Sequence, residues 1–314
     1  MARWDILQRE NVRDCELGPS REERRQEPGG TGVSVGRGPT DGSSANSPER
    51  PERPSQTSPE RSPDRRTQYG HGGRTYSLRS SEIAAMRDIG TFRTVDVRDL
   101  ARFVYGGDEA RLKYDLESLR TQGLVEEKTV FRAHKSARKL VALTAEGQRI
   151  VKKASGLPEE QRIYHGFVKP KELDHDADLY KVYQKAAEEI RERGGKPTRV
   201  RLDFELKESI NRAKEAAGRM SEDERRRLLA TVAQEQGLTL DDGTIHLPDI
   251  QVEYETRDGE VERQNLELLS RNYREDGIRG KAAAGFKIYA RTGDTNRVRR
   301  ALHDTGMVRE VLSV

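Results

Sequence analysis

Helical periodicity begins abruptly at Tyr76, and that onset limits what the chain can fold into. Ahead of it, stretches such as SPERPERPSQTSPERSPDRR hold so few apolar side chains that burial could not offset the entropy of ordering them. Residues 1–74 are therefore expected to be a disordered tail. The glycines of GGTGVSVGRG lack a following Gly-Lys-Ser/Thr, so a flexible segment is expected there and not a phosphate loop.

Behind the onset, Ile83, Met86 and Ile89 recur at helical spacing, with Ser80 or Ser81 available as the cap. Val97, Leu100, Ala101 and Val104 make a second stripe that ends at Gly106-Gly107. Leu112, Leu116 and Leu119 make a third, started by Asp108 and stopped by Gly123. Two strand-like runs, LVEEKTV and RKLVALT, then flank the basic loop FRAHKSAR, and a helix starts from Thr144. Three helices, a two-stranded wing and a closing helix predict a winged helix-turn-helix over residues 75–156. On its third helix the Leu stripe faces inward. Arg111, Lys113, Tyr114, Ser118 and Arg120 then surround the outer faces, where an arginine can bond a guanine edge or a phosphate. Asp115 and Glu117 lie on the same helix and weigh against that contact. The wing adds Arg132, Lys135, Arg138 and Lys139, suited to the backbone or the minor groove.

Charge supports the same placement. The whole chain carries +4, but residues 75–154 hold 16 Lys and Arg against 11 Asp and Glu. A polyanion such as double-stranded DNA should bind there. Apolar residues are 32% of the 314 and no run of them approaches the roughly 20 that cross a bilayer. The first residues are charged and offer no signal-peptide core, so a cytoplasmic protein with no membrane partner is expected. The one cysteine, Cys15, excludes a disulfide within the chain and a zinc knuckle.

Residues 157–314 read as a second domain. A long amphipathic helix carries Leu179, Val182, Tyr183, Ala186 and Ile190. Its leading Asp174-His175-Asp176-Ala177-Asp178 has no Gly or distal Glu where a calcium loop needs them, so helix capping is the expected role. TRVRLDFELK alternates like a strand through Phe204. Charged helices follow, then a hairpin turning at Asp258-Gly259, a helix near 275–284, the strand FKIYA and a helix through DTNRVRRALHD. This order predicts a mixed sheet flanked by helices. In the hairpin, pairing Ile250 with Leu268 and Val252 with Leu266 gives one apolar face and a loop of odd length, with Gly259 at positive φ. Asp249 and Glu267 then become diagonal neighbours on the opposite face. Two such carboxylates with a lysine are what a metal-dependent phosphodiesterase needs.

This strand-hairpin-helix-strand order resembles the restriction-endonuclease-like fold, the PD-(D/E)xK superfamily. Pro248-Asp249 stands at its first acid and Glu267 at its second. Leu269 replaces the motif lysine, and Lys281 on the next helix is the substitute. More widely, DLARFVYGGDEARLKYDLESLRTQGLV, LVALTAEG, HDADLYKVYQKAAEEI, VRLDFELK, HLPDIQVEYETRDGE and LELLSRNYREDGIRGKAAAGFKIY resemble the replication-relaxation family and related winged-helix proteins of bacterial mobile elements. That resemblance implies an α+β chain with an N-terminal winged helix and a nuclease-like C-terminal domain. It also implies a DNA-linked role in maintaining or transferring a plasmid or conjugative element.

Three functions follow as expectations. The favoured one is a DNA-binding regulator or accessory factor with a non-catalytic C-terminal platform and no cofactor. The second is a Mg²⁺-dependent endonuclease with Asp249, Glu267 and Lys281 as catalytic residues and the two acids on the metal. The third is a protein-interaction scaffold. A homodimer and other proteins of the mobile element are open as partners.

Overall fold

Strand signals in the glycine-rich border region come first in the folded chain. The computed structural model describes residues 65–131, 137–170, 172–241, 243–269, 273–291 and 312–313, with 294, 296, 298 and 300 between the last two. The expected tail lies outside the described residues up to 64, but its last ten do not. Strand β1 (Thr67–His71) and strand β2 (Arg74–Leu78) form an antiparallel hairpin. Its two-residue turn is Gly72-Gly73, both at positive φ, the turn conformation that matches strand twist. The ordered chain thus begins earlier than residue 75, because this hairpin seats Tyr76 and Leu78 in the core.

Next come α1 (Ser80–Phe92), the short β3 (Val95–Asp96), α2 (Val97–Phe103) and α3 (Glu109–Thr121). Asp108 caps α3 by accepting from the Arg111 amide at 2.9 Å, as its spacing predicts. Helix α1 is capped differently from expectation. Glu82 reaches back to accept from the Arg79 amide at 2.7 Å, which leaves Ser81 free to donate to Asp115 at 2.7 Å. Strands β4 (Val125–Phe131) and β5 (Ala137–Leu143) pair antiparallel, and β3 adds to β5 to give the order β3-β5-β4. Helix α4 (Ala145–Ala154) starts at Thr144, whose hydroxyl accepts from the Gly147 amide at 3.0 Å.

The second half is built on a five-stranded sheet. Helix α5 (Leu173–Glu192) leads into β6 (Lys196–Leu202), where the strand stops short of its predicted length. Glu205 accepts from the Leu202 amide at 3.2 Å and starts helix α6 (Asp203–Ala216), so Phe204 is helical and not part of the strand. A 3₁₀ turn leads to α7 (Glu222–Glu235), and the small ladder β7 (Leu240–Asp241) with β8 (Thr244–Ile245) completes the insert. Then β9 (Ile250–Glu255), β10 (Val261–Leu269), α8 (Glu275–Ala283) and β11 (Lys287–Ala290) follow, with β12 (Leu312–Ser313) at the edge. The sheet order is β12-β11-β10-β9-β6. Strands β6, β9 and β10 are antiparallel neighbours, while β10, β11 and β12 are parallel. The helix expected through DTNRVRRALHD lies largely outside the described residues.

The hairpin register differs from the predicted one by two residues. Ile250 faces Leu266, not Leu268, and Val252 faces Gln264. A three-residue loop explains this. The Thr256 amide donates to Glu260 O at 2.7 Å, and Gly259 takes the last loop position at φ 83°. A shift of two preserves the faces, so Ile250, Val252, Leu266 and Leu268 still point to one side, where they are buried with α5.

The described residues, from 65 onward, belong to one compact unit. One apolar core runs from Leu78 through α1 and α5 to Tyr289, across the boundary between the two halves. Phe92 and Phe103 pack edge-on against Tyr180 of α5, with centroids 5.2 and 5.8 Å away.

Candidate functional site

Helix α3 exposes Lys113, Tyr114, Glu117 and Arg120, while its Leu residues turn inward. Tyr114 is 60% exposed, and the Arg79 guanidinium lies 4.7 Å from its ring centre. Asp115, which the sequence suggested would weaken an anion-binding face, is buried instead. Arg79, Ser81 and Tyr105 donate to it at 2.8, 2.7 and 3.2 Å. A groove of about 320 Å³ beside this face is lined by Arg98, Leu112, Lys113, Arg120, Glu127 and Lys139.

The other predicted DNA contacts divide three ways. Arg111 is half-buried, donating to Ser81 at 3.2 Å with Asp115 at 3.9 Å. Ser118 accepts from Arg66 at 3.2 Å. Arg120 makes a two-pronged contact with Glu117, and Lys139 pairs with Glu127 at 2.7 Å, both at the surface. Arg132 and Lys135 lie outside the described residues.

Arg138 has to be corrected. It lies on β5, and its side chain is 2% exposed and not on the outer surface. Its guanidinium meets Asp96 at 2.7 Å, Asp174 at 3.0 Å, Asp178 at 3.0 Å and Asp99 at 3.8 Å. Burial opposes its charge, but Asp178 and Asp96 outweigh that and hold it firmly protonated. Burial and the neighbouring Asp96 and Asp178 push the Asp99 carboxyl up to about 6, against the pull of Lys181 and Arg138. Asp174 and Asp178, read from the sequence as helix caps, also tie the first turns of α5 to β5 through Arg138.

The acid pair sits where β9 and β10 begin to diverge. Continuing the ladder one step beyond Ile250–Leu266 places Asp249 opposite Glu267, so they are direct and not diagonal neighbours. Each holds the other's strand. The Asp249 amide donates to Glu267 Oε2 at 3.2 Å, and the Leu268 amide donates to Asp249 Oδ2 at 2.8 Å. Lys281 does fold back. Its Nζ lies 3.0 Å from Glu267 Oε2 and also donates to the Leu247 carbonyl. Tyr273 donates to Glu267 Oε1, and His175 Nε2 lies 3.5 Å from Asp249 Oδ1. Sequence reasoning named neither Tyr273 nor His175 as part of this centre.

Charge at the pair is not balanced. Burial and the Asp249 charge push the Glu267 carboxyl up to about 7, even with Lys281 and Tyr273 bonded to it. For His175, burial lowers the imidazole but the bond and charge of Asp249 outweigh it, so the net shift is upward. A cavity of about 300 Å³ opens on Asp249, lined also by Asp203, Lys207, His246, Tyr273 and Lys281, while Glu267 lies buried behind it. Among the described residues no group of three or more His, Cys, Asp and Glu forms a ready metal cage. A pair of carboxylates does suit Mg²⁺, which keeps several waters and takes one or two protein acids plus substrate phosphates.

No family model matches the chain, and no curated protein matches it. Among solved structures, it shows similarity to the crystal structure of Bacillus subtilis PadR in complex with operator DNA. The identity is 11%, covering 49% of this chain and 92% of that one, with a TM-score of 0.20. A likeness that slight does not establish a shared fold. Among the described residues no helix is long and apolar enough to cross a membrane.

Proposed function

We propose that this chain binds double-stranded DNA and hydrolyses a phosphodiester bond at Asp249, Glu267 and Lys281. One observation carries the reading: Lys281 Nζ lies 3.0 Å from Glu267, although it comes from a helix after the strand that should have held the lysine. The order α5-β6-β9-β10-α8-β11, with β10 and β11 parallel, supports a restriction-endonuclease-like domain. The order of α1 to α4 around β3-β5-β4 supports a winged helix.

Asp249, on the cavity wall, would hold the Mg²⁺, and Glu267 would join it by giving up its bond to Lys281; the bound ion would supply Lewis acidity and a more acidic water. Lys281 places its Nζ beside the acids and on the rim of the cavity, where a phosphate would carry growing negative charge. Tyr273 orients Glu267 through one oxygen and leaves the other to Lys281 and the Asp249 amide. On the DNA side, Lys113, Tyr114 and Arg120 present two charges and a ring on the exposed face of α3.

The test is incubation of the full chain with supercoiled and linear DNA, with Mg²⁺ or with chelator. Expected is Mg²⁺-dependent cleavage that disappears in Asp249→Asn and falls sharply in Lys281→Met while DNA binding persists. Salt-sensitive binding with intact DNA would refute the hydrolytic part. It would favour a second reading, a binding protein whose acid pair is sealed, to which the full set of bonds on both Glu267 oxygens gives specific support.

A further inference from the structure

His175 occupies the first turn of α5, a position the sequence explains only as helix capping. The fold gives it another neighbour. Its Nε2 lies 3.5 Å from Asp249 Oδ1, while Asp249 Oδ2 accepts from the Leu268 amide at 2.8 Å. The Asp249 carboxylate therefore accepts from the β10 backbone at one oxygen and has the α5 imidazole 3.5 Å from the other.

The helical turn that carries the imidazole is anchored. The His175 side chain is 34% exposed, and Leu173 and Ala177 on either side are buried. Asp174 and Asp178 meet Arg138, each at 3.0 Å, and Asp176 reaches Arg93 at 3.8 Å. The turn that carries His175 is thus held by residues on both sides of it.

We propose that His175 is a positioning residue of the Asp249–Glu267 centre, donating from Nε2 to Asp249 and fixing the rotation of that carboxylate. This rests on the reading above, in which the pair holds a divalent cation. A carboxylate that binds a metal is usually hydrogen-bonded in turn, and loss of such an outer partner typically costs about 10–100-fold in metal affinity. Sequence spacing could not show it, because His175 and Asp249 are brought together only by the packing of α5 on the sheet.

The experiment titrates Mg²⁺ into the full chain without DNA by calorimetry and Mn²⁺ by electron paramagnetic resonance. Wild type, Asp249→Asn, His175→Ala and His175→Gln are compared. His175→Ala should weaken cation affinity about 10–100-fold, and His175→Gln, which keeps an N–H donor at a similar reach, should recover most of it. Melting of the metal-free proteins checks that both His175 variants are folded. Wild-type affinity in His175→Ala, or a His175→Gln as weak as His175→Ala, overturns the role of His175 alone. If wild type and Asp249→Asn bind cation equally poorly, the reading of the centre fails and this inference falls with it.

Discussion

Replacing Arg138 with methionine tests the buried charge cluster most directly. The guanidinium meets Asp96, Asp174 and Asp178 within 3.0 Å and Asp99 at 3.8 Å. The side chains of Asp96 and Asp178 are each 3% exposed. Methionine fills much of the same volume, so cavity formation is a small part of the effect. What remains is a set of carboxylates without their shared cation. Arg98 still reaches Asp96 at 3.1 Å, and Lys181 and Arg291 still reach Asp178 at 3.0 and 2.8 Å. Removing one partner of a buried pair costs about 3–5 kcal/mol, and these remaining partners place the expectation at the lower end. For a unit of this size, that corresponds to a fall in Tm on the order of 10 °C.

The loss should also depend on pH. Arg138 and the other cations now outweigh burial and hold Asp96 and Asp178 below the usual carboxylate range. Their contribution is present above the unfolded pKa and is lost as pH falls through the folded one. Without Arg138, burial raises these carboxyls, so the variant takes up protons in the folded state as pH drops. The gap between wild type and variant should therefore narrow from pH 7 to pH 5. Urea unfolding at both values measures it. A destabilisation under about 1 kcal/mol, the range of exposed pairs, or an equal gap at both pH values would refute this account.

Other consequences can be checked with single variants. Gly147→Ala puts a methyl 2.0 Å from the Leu124 carbonyl oxygen, so α4 must move, and a loss of about 1–3 kcal/mol is expected by thermal unfolding. Glu267→Gln addresses the raised carboxyl. A raised pKa means the folded state holds the proton longer, so wild-type stability should fall relative to the variant as pH rises from 4.5 to about 7. Parallel pH curves would contradict that shift. Lys113→Ala should weaken DNA binding across sequences and reduce the slope of log affinity against log salt by about 1, whereas an unchanged slope would remove Lys113 from the interface. Tyr105→Phe removes a buried donor to Asp115 and should cost about 1–3 kcal/mol.

Local periodicity made α1 to α4 legible, since Leu100, Leu112, Leu116 and Leu119 all turn inward. The faces of the β9–β10 hairpin were legible for a similar reason: alternation sets which side each residue takes. Its pairing was not, because the position of Gly259 at the end of the loop, instead of its centre, decides the register. Arg138 could have been found. It alternates with Leu140, and both are buried, while Lys139 between them is exposed. The lure of a basic wing hid that pattern. The β1–β2 hairpin was also readable in Gly72-Gly73, though the composition of the preceding tail concealed it. Tyr273 and His175 left no local sign, because their contacts with the acid pair join segments that meet only in the folded sheet.

Tyr180 gives the shared core a mechanical meaning. Its ring packs on Phe92 and Phe103, and its hydroxyl donates to Asp88 at 2.8 Å. A protein that grips with one module and acts with another usually joins them by a tether, and the reach of the tether blurs where the action falls. Here the helix that carries His175 is also part of the wall against which α1 and α2 are built. DNA held on α3 would thus meet the acid pair at a constant offset. On the proposed function, this packing and not a tether would set the distance between the two.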